Sequence, residues 1–207
     1  MATFIDLSHT MTDRMPVYPG DEPPRLIRTH EFNHDGYNNH RFSTGMHAGT
    51  HIDGPMHLTE RVQYLDELSL ERFTGIGCFL HALDEPVVRR KPEFESLVEQ
   101  SSIVLLYTGW SRWFGREEYY QNYPVLSLEA AELFVEKRVK MVCLDSPSPD
   151  REPYAVHKFL FANDILVAEN LTGMQQLLHT KRFEVFALPL RIHADSSPAR
   201  IIARILE

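Results

Sequence analysis

Nine stretches of the chain are short, rich in Val, Ile, Phe and Leu, and bounded by Gly, Pro, Asp or Asn: TFIDLS, RLIRTHEF, HRFSTGM, IGCFLHAL, SIVLLYT, KMVCLD, DILVA, FEVFALPL and RIIARIL. That pattern predicts β-strands. Helical patterns are fewer. PEFESLVEQ opens on Pro92, a residue suited to a first helical turn. SLEAAELFVEKR begins at Ser127, an N-cap residue type, and sets Leu128, Ala131, Phe134 and Val135 on one face. VHKFLFA reads as a short third helix. Strand and helix alternate in the second half, which predicts α/β layering, whereas the first half reads as antiparallel β with long loops. Residues 12–24, holding Pro16, Pro19, Gly20, Pro23 and Pro24, read as an irregular N-terminal arm. With no internal repeat or low-complexity segment, residues 1–207 read as a single domain.

Composition narrows the class. A hydrophobic fraction of 43% and a charged fraction of 24% are those of an ordinary soluble protein. The balance of 21 basic to 29 acidic residues, net −8, argues against a nucleic-acid or anionic-membrane partner, since either calls for a clustered basic patch. Arg89-Arg90-Lys91 is too short for one and reads as solvated surface. No apolar stretch approaches the roughly 20 residues of a membrane span. The N-terminus lacks a signal-peptide pattern, so a soluble cytoplasmic protein is expected. Cys78 and Cys143 lie far apart inside apolar runs and read as buried free thiols.

The most pointed chemistry is HAGTHIDGPMH, residues 47–57, with His47, His51, Asp53 and His57 spaced H-x3-H-x-D-x3-H. A helical metalloprotease motif is excluded, because Ala48 follows His47 where a glutamate is needed and Gly49, Gly54 and Pro55 oppose a helix. In an extended chain the four side chains can share a face. Imidazoles and a carboxylate are ligands for zinc or manganese, with a position left open for water. The bland alternative is a histidine-rich surface loop; the spacing and its punctuation favour metal. Further ligands must come from elsewhere. His157 opens the segment HKFLFANDILVAENL, in which Glu169 ends a strand-like run, and from spacing alone a metal ligand and an exposed carboxylate fit Glu169 equally.

Taken together, IDLSHTM, MPVYPGD, HAGTHIDGPMH, LYTGW, LDSPSPD, the segment from His157 to ENL, and ALPL with the stretch at residues 195–200 make the chain resemble the cyclase family of metal-dependent hydrolases, whose members include bacterial kynurenine formamidase (arylformamidase). The resemblance implies an α/β fold with a mixed β-sheet or barrel-like core flanked by helices, and a homo-oligomer, dimer or tetramer. It implies two divalent metal ions per chain, most often Zn2+, with Mn2+ the other candidate. It further implies that His47, His51 and Asp53 bind the first ion, that Asp53 and His157 bind the second, and that Glu169 bridges them. His57 would be the unligated proton shuttle. One departure stands out. Kynurenine formamidases carry a tryptophan against the substrate just before PGD, and here that place holds Tyr18.

The expected activity is therefore hydrolysis of a small-molecule aryl formamide, N-formylkynurenine. Alternatives are a cyclic amide, imide or lactone such as isatin, and, from another class, a non-catalytic protein stapled by zinc. No G-x-S-x-G pattern supports a covalent hydrolase. His9 and His193 read as hydrogen-bonded structural histidines. Trp110, Trp113, Phe114, Tyr119 and Tyr120 read as core or subunit packing before substrate wall, and Asp145 and Asp150 as turn residues.

Overall fold

Ile103, Val104, Leu105 and Leu106 are all fully buried, yet they alternate between two apolar clusters, Ile103 and Leu105 in one and Val104 and Leu106 in the other. A strand covered on both faces reads as a continuous apolar run, and this one lies at the centre of the architecture. The computed structural model describes residues 2–206. In chain order its elements are β1 (Thr3–Asp6), β2 (Arg25–His30), α1 (Phe32–Asp35), β3 (Asn39–Ser43), β4 (His51–Asp53), β5 (Thr74–His81), β6 (Val87–Val88), α2 (Pro92–Leu97), β7 (Ile103–Tyr107), β8 (Val125–Leu126), α3 (Leu128–Glu136), β9 (Met141–Leu144), α4 (Ala155–Ala162), β10 (Leu166–Glu169), β11 (Phe183–Pro189) and β12 (Ser196–Ile205).

The main sheet runs β12-β11-β5-β7-β9-β10-β4, and β4 pairs back onto β12, so these strands close into a barrel. The β5-β7-β9-β10 side is parallel, as its intervening helices require, and the remaining pairings are antiparallel. β1 adds to the outer edge of β12. The expected α/β fold with a barrel-like mixed core is borne out.

One cluster fills the barrel, with Ile52, Phe73, Leu105, Cys143, Leu166, Phe183 and Ile201 among its members. The other lies between the parallel strands and α2, α3 and α4, where Phe94, Phe134, Leu160 and Phe161 meet Leu80, Val104 and Val142. Gly77 on β5 shows how tightly the first is filled. A Cβ there would lie 1.9 Å from Cε2 of Phe183, so the ring occupies the space a side chain would need. Both cysteines are buried free thiols, as expected.

Ser127 caps α3, its Oγ accepting from the Ala130 N–H at 3.3 Å. The buried face differs from the predicted one: Ala130, Ala131, Leu133 and Phe134 point inward and Leu128 is exposed. At ~100° per residue, Leu128 lies on the far side of the helix from Ala130. β2 and β3 form a separate hairpin, exposed along most of its length. No helix among the described residues is long and apolar enough to cross a membrane.

Candidate metal centre

β4 lies on the closing seam of the barrel. His51 stands opposite Glu169 of β10 and Pro198 of β12, and Asp53 opposite Val167 and Ser196. Alternation turns Ile52 into the barrel and leaves His51 and Asp53 together on the other side. The flanking histidines arrive by turns. Gly49, at φ 64°, reverses the chain that carries His47, and a 3-10 turn over Pro55–His57 swings His57 inward. The H-x3-H-x-D-x3-H stretch is therefore no continuous ribbon; only residues 51–53 are strand. Gly54 is held where a Cβ would lie 2.8 Å from the Asp195 carbonyl oxygen, and its N–H donates to that oxygen at 2.9 Å. α4 contributes His157, and Glu169 closes β10.

All six residues expected in the centre converge. His47 Nδ1 lies 2.9 Å from Asp53 Oδ1, and His51 Nε2 lies 3.4 Å both from that atom and from Glu169 Oε2. His157 Nε2 lies 3.1 Å from Glu169 Oε1. Ligand atoms of His47, Asp53 and His57 lie within 4.8 Å of one another, as do those of His51, Asp53 and Glu169, so Asp53 is common to two groups. His51, Asp53, His157 and Glu169 are buried; His47 and His57 are partly exposed.

A second layer orients these groups. His51 Nδ1 donates to the Gly49 carbonyl at 2.9 Å, which turns Nε2 toward the carboxylates. Asn170 Nδ2 donates to the same carbonyl at 3.0 Å, and Tyr119 Oη donates to Asn170 Oδ1 at 2.8 Å. Asp150 does more than shape a turn. Its Oδ2 accepts from the Val156 and His157 N–H groups at the start of α4, and its Oδ1 lies 2.6 Å from His157 Nδ1. An acidic residue just ahead of a helical pattern was the available signal. Asp145 is a loop anchor, accepting from the Thr108 N–H and hydroxyl. Asp195, which sequence reasoning left out except as the first residue of the 195–200 stretch, has its Oδ2 3.3 Å from His57 Nδ1 and 3.5 Å from His47 Nε2.

Electrostatically the centre is built for cations. Burial disfavours the imidazolium of His47, but Asp195 and Asp53 outweigh it and raise the pKa to about 9. His157 is buried too, and Asp150 and Glu169 lift it to about 10. His51 is raised well above the ordinary value against its burial, chiefly by Asp53. Asp53 resists the upward push of burial and is held well below the usual carboxylate range, first by His51. The hydrogen bonds from His47 and His57 depress Asp195.

Two buried atoms, His51 Nε2 and Asp53 Oδ1, have no hydrogen-bond partner. Leaving such atoms unsatisfied costs ~1–3 kcal/mol each. They face each other across a space rimmed by imidazole and carboxylate donors, the set that suits zinc. The residues present thus fit a divalent ion.

The centre opens into a cleft of about 240 Å³ lined by Val17, Tyr18, Leu58, Tyr120, Pro147 and Tyr154 besides the metal-type residues. Tyr18 comes from the irregular arm and meets Tyr120 edge-on at 5.9 Å. Tyr154 sits at φ 61° just before α4, an uncommon geometry for a bulky residue. The aromatic cluster divides: Tyr119 is buried, whereas Tyr120 faces the cleft. His193 stacks on Tyr64 at 3.5 Å and hydrogen-bonds Asp66, and it does not line the cleft. His9 is not held by a side-chain hydrogen bond. Its ring stacks on Phe114 at 3.7 Å and its Nε2 is buried without a partner.

Comparison with known proteins agrees with this architecture. An uncharacterized protein of Methanocaldococcus jannaschii is 32% identical over 96% of this chain and 97% of its own length. Kynurenine formamidase of Geobacillus thermodenitrificans is 27% identical over 99% of this chain and 98% of its own. Among solved structures, isatin hydrolase A of Labrenzia aggregata superposes with a TM-score of 0.86 at 23% identity, covering 100% of this chain and 94% of that one, a likeness that carries the fold. The Cyclase family model ("Putative cyclase") matches residues 5–151, and the chain belongs to that family.

Proposed function

We propose that the protein is a dinuclear-metal amidohydrolase that cleaves N-formylkynurenine to kynurenine and formate. The observation that carries this reading is the convergence of His47, His51, Asp53, His157 and Glu169 at one end of a cleft that His57 also lines, with Asp53 common to two clusters of metal-ligating side chains. His47, His51 and Asp53 would hold one ion, and Asp53 and His157 the other, with Glu169 reaching both. Full-length similarity to kynurenine formamidase supports hydrolysis of a C–N bond. Zn2+ suits the donors best, and Mn2+ also accepts them.

Bound there, divalent ions supply an acidified water and a counter-charge for the oxyanion. The chain's own residues do the rest. His57 carries the proton: it takes one from the attacking water and delivers it to the anilide nitrogen, which leaves poorly as an anion. Water oxygen joins the formyl carbon, the C–N bond breaks, and the nitrogen departs as a neutral amine. Tyr18, Tyr120 and Tyr154 offer ring faces and edges to an aryl substrate while Leu58 and Pro147 exclude water.

A second reading keeps the centre and changes the substrate to a cyclic amide, imide or lactone. Tyr18, in the place of tryptophan, is the feature that separates the two readings. A zinc staple is disfavoured, because such sites close around four protein ligands and leave no cleft. Homo-oligomer assembly is supported by the β2–β3 hairpin, since two strands alone are marginal in water and this pair exposes Ile27 and Phe42, with Phe32 and Tyr37 in its connection. The deciding experiment compares turnover of N-formylkynurenine and isatin by zinc-loaded protein. Faster formamide cleavage upholds the first reading, and ring opening of isatin alone replaces it with the second.

A further inference from the structure

Asp195 and His57 are 138 positions apart and meet because the barrel closes. Asp195 immediately precedes β12, whose Ser196 pairs with Asp53. Its backbone is clamped at two successive carbonyls just ahead of β12: the Gly54 N–H donates to the Asp195 carbonyl at 2.9 Å, and the Leu65 N–H to the Ala194 carbonyl at 3.0 Å. Gly54 admits this approach because it lacks a Cβ. The Asp195 side chain is thereby fixed beneath the turn that carries His57. Its Oδ2 lies 3.3 Å from His57 Nδ1 and accepts from Ser196 Oγ at 3.2 Å. Among the described residues the His57 ring makes no other hydrogen bond. An imidazole held through Nδ1 by a carboxylate carries its proton there and presents a bare Nε2, the atom that must accept a proton.

We propose that Asp195 is the positioning residue of His57, fixing its tautomer and ring orientation so that Nε2 faces the cleft. This rests on the reading of His57 as the proton carrier. The same Oδ2 lies 3.5 Å from His47 Nε2, so one carboxylate also steadies a metal-type histidine. The two roles separate experimentally, because support for His47 alone would be read as weakened zinc binding and support for His57 as lost turnover at full zinc occupancy.

The test uses the intact protein, His57→Ala, Asp195→Asn and the double variant, each saturated with Zn2+ and checked for zinc per chain and thermal midpoint. kcat and KM are measured on whichever of N-formylkynurenine and isatin is turned over, and imidazole 1H–15N correlations report the His57 tautomer. Asp195→Asn is expected to keep its zinc, to lose kcat by ~10²–10⁴-fold with KM little changed, and to lose the Nδ1–H signature of His57. In the His57→Ala background it should have no further effect. Unchanged kcat in Asp195→Asn beside a damaged His57→Ala would overturn the proposal and leave the hydrolase reading standing. Zinc per chain reduced in Asp195→Asn, with kcat per bound zinc unchanged, would overturn it too, in favour of a role at His47. Full activity in His57→Ala would remove the proton-carrier reading itself. If neither compound is turned over, an unaltered His57 tautomer in Asp195→Asn overturns the proposal by itself.

Discussion

Glu169 stands directly opposite His51 in the antiparallel ladder of β4 and β10, and the two side chains approach to 3.4 Å at Oε2 and Nε2. The pair is thus held by strand register. A one-residue slip of β4 would turn His51 into the barrel interior, beside Leu166 and Ala168, and carry Ile52 out of it. Building the centre on barrel strands gives its donors a rigidity that a loop of the same sequence lacks.

Donor and supporting residues should separate by magnitude. Asp150→Asn, which leaves every donor of the centre in place but weakens the hold on His157 Nδ1, is expected to lower zinc affinity ~10–100-fold. Glu169→Gln should cost more, because it removes a donor and leaves His51 and His157 without their shared carboxylate. Competition with a chelating dye measures both, and equal losses would contradict the assignment.

The metal-free protein should lose stability as pH rises. Free in the unfolded chain, His47 and His157 titrate near 6.5; folded, burial opposes their charge but the carboxylates outweigh it, giving about 9 and about 10. A group whose folded pKa is raised contributes stability that is complete below the unfolded value and is lost as pH climbs through the folded one. The midpoint of metal-free protein is therefore expected to fall between pH 6.5 and 10. Zinc displaces those protons, so its stabilisation should grow over the same window. Melts with zinc and with chelator check this, and parallel curves would refute it.

Much of this was legible in the sequence. All nine apolar runs hold strands, and those of the parallel side stand out most, because a strand buried on both faces leaves a compositional mark. β4 left none: three residues, two of them polar, are strand only because β10 and β12 flank them. His47, His51, Asp53 and His57 announced themselves by spacing, and His157 and Glu169 by resemblance. Asp195 and Asn170 gave no comparable signal, since their roles arise from barrel closure and from a carbonyl shared with His51. The exposure of Leu128 was missed because the predicted face, although it shares Ala131 and Phe134 with the buried one, is rotated from it: burial centres on Ala130, Ala131, Leu133 and Phe134 and leaves Leu128 outside.

Packing at β5 yields a stability test. Gly77→Ala forces a methyl into the Phe183 ring and is expected to destabilise by ~1–3 kcal/mol. Adding Phe183→Leu should recover part of that loss, because the smaller side chain vacates the contested space. Denaturant unfolding of the single and double variants measures the coupling, and strict additivity would contradict it.

The hairpin bears on assembly. Replacing Ile27 and Phe42 together by Asp should reduce the particle mass seen by light scattering while leaving the far-UV spectrum of the barrel unchanged. An unaltered mass would remove the hairpin from any interface.

The most direct measurement of the centre is anomalous diffraction at the zinc edge from crystals grown with Zn2+. Two peaks are expected about 3.5–4 Å apart, both in contact with Asp53 and Glu169 and with His57 unligated. A single peak enclosed by four protein side chains would contradict the dinuclear hydrolase and restore the zinc staple.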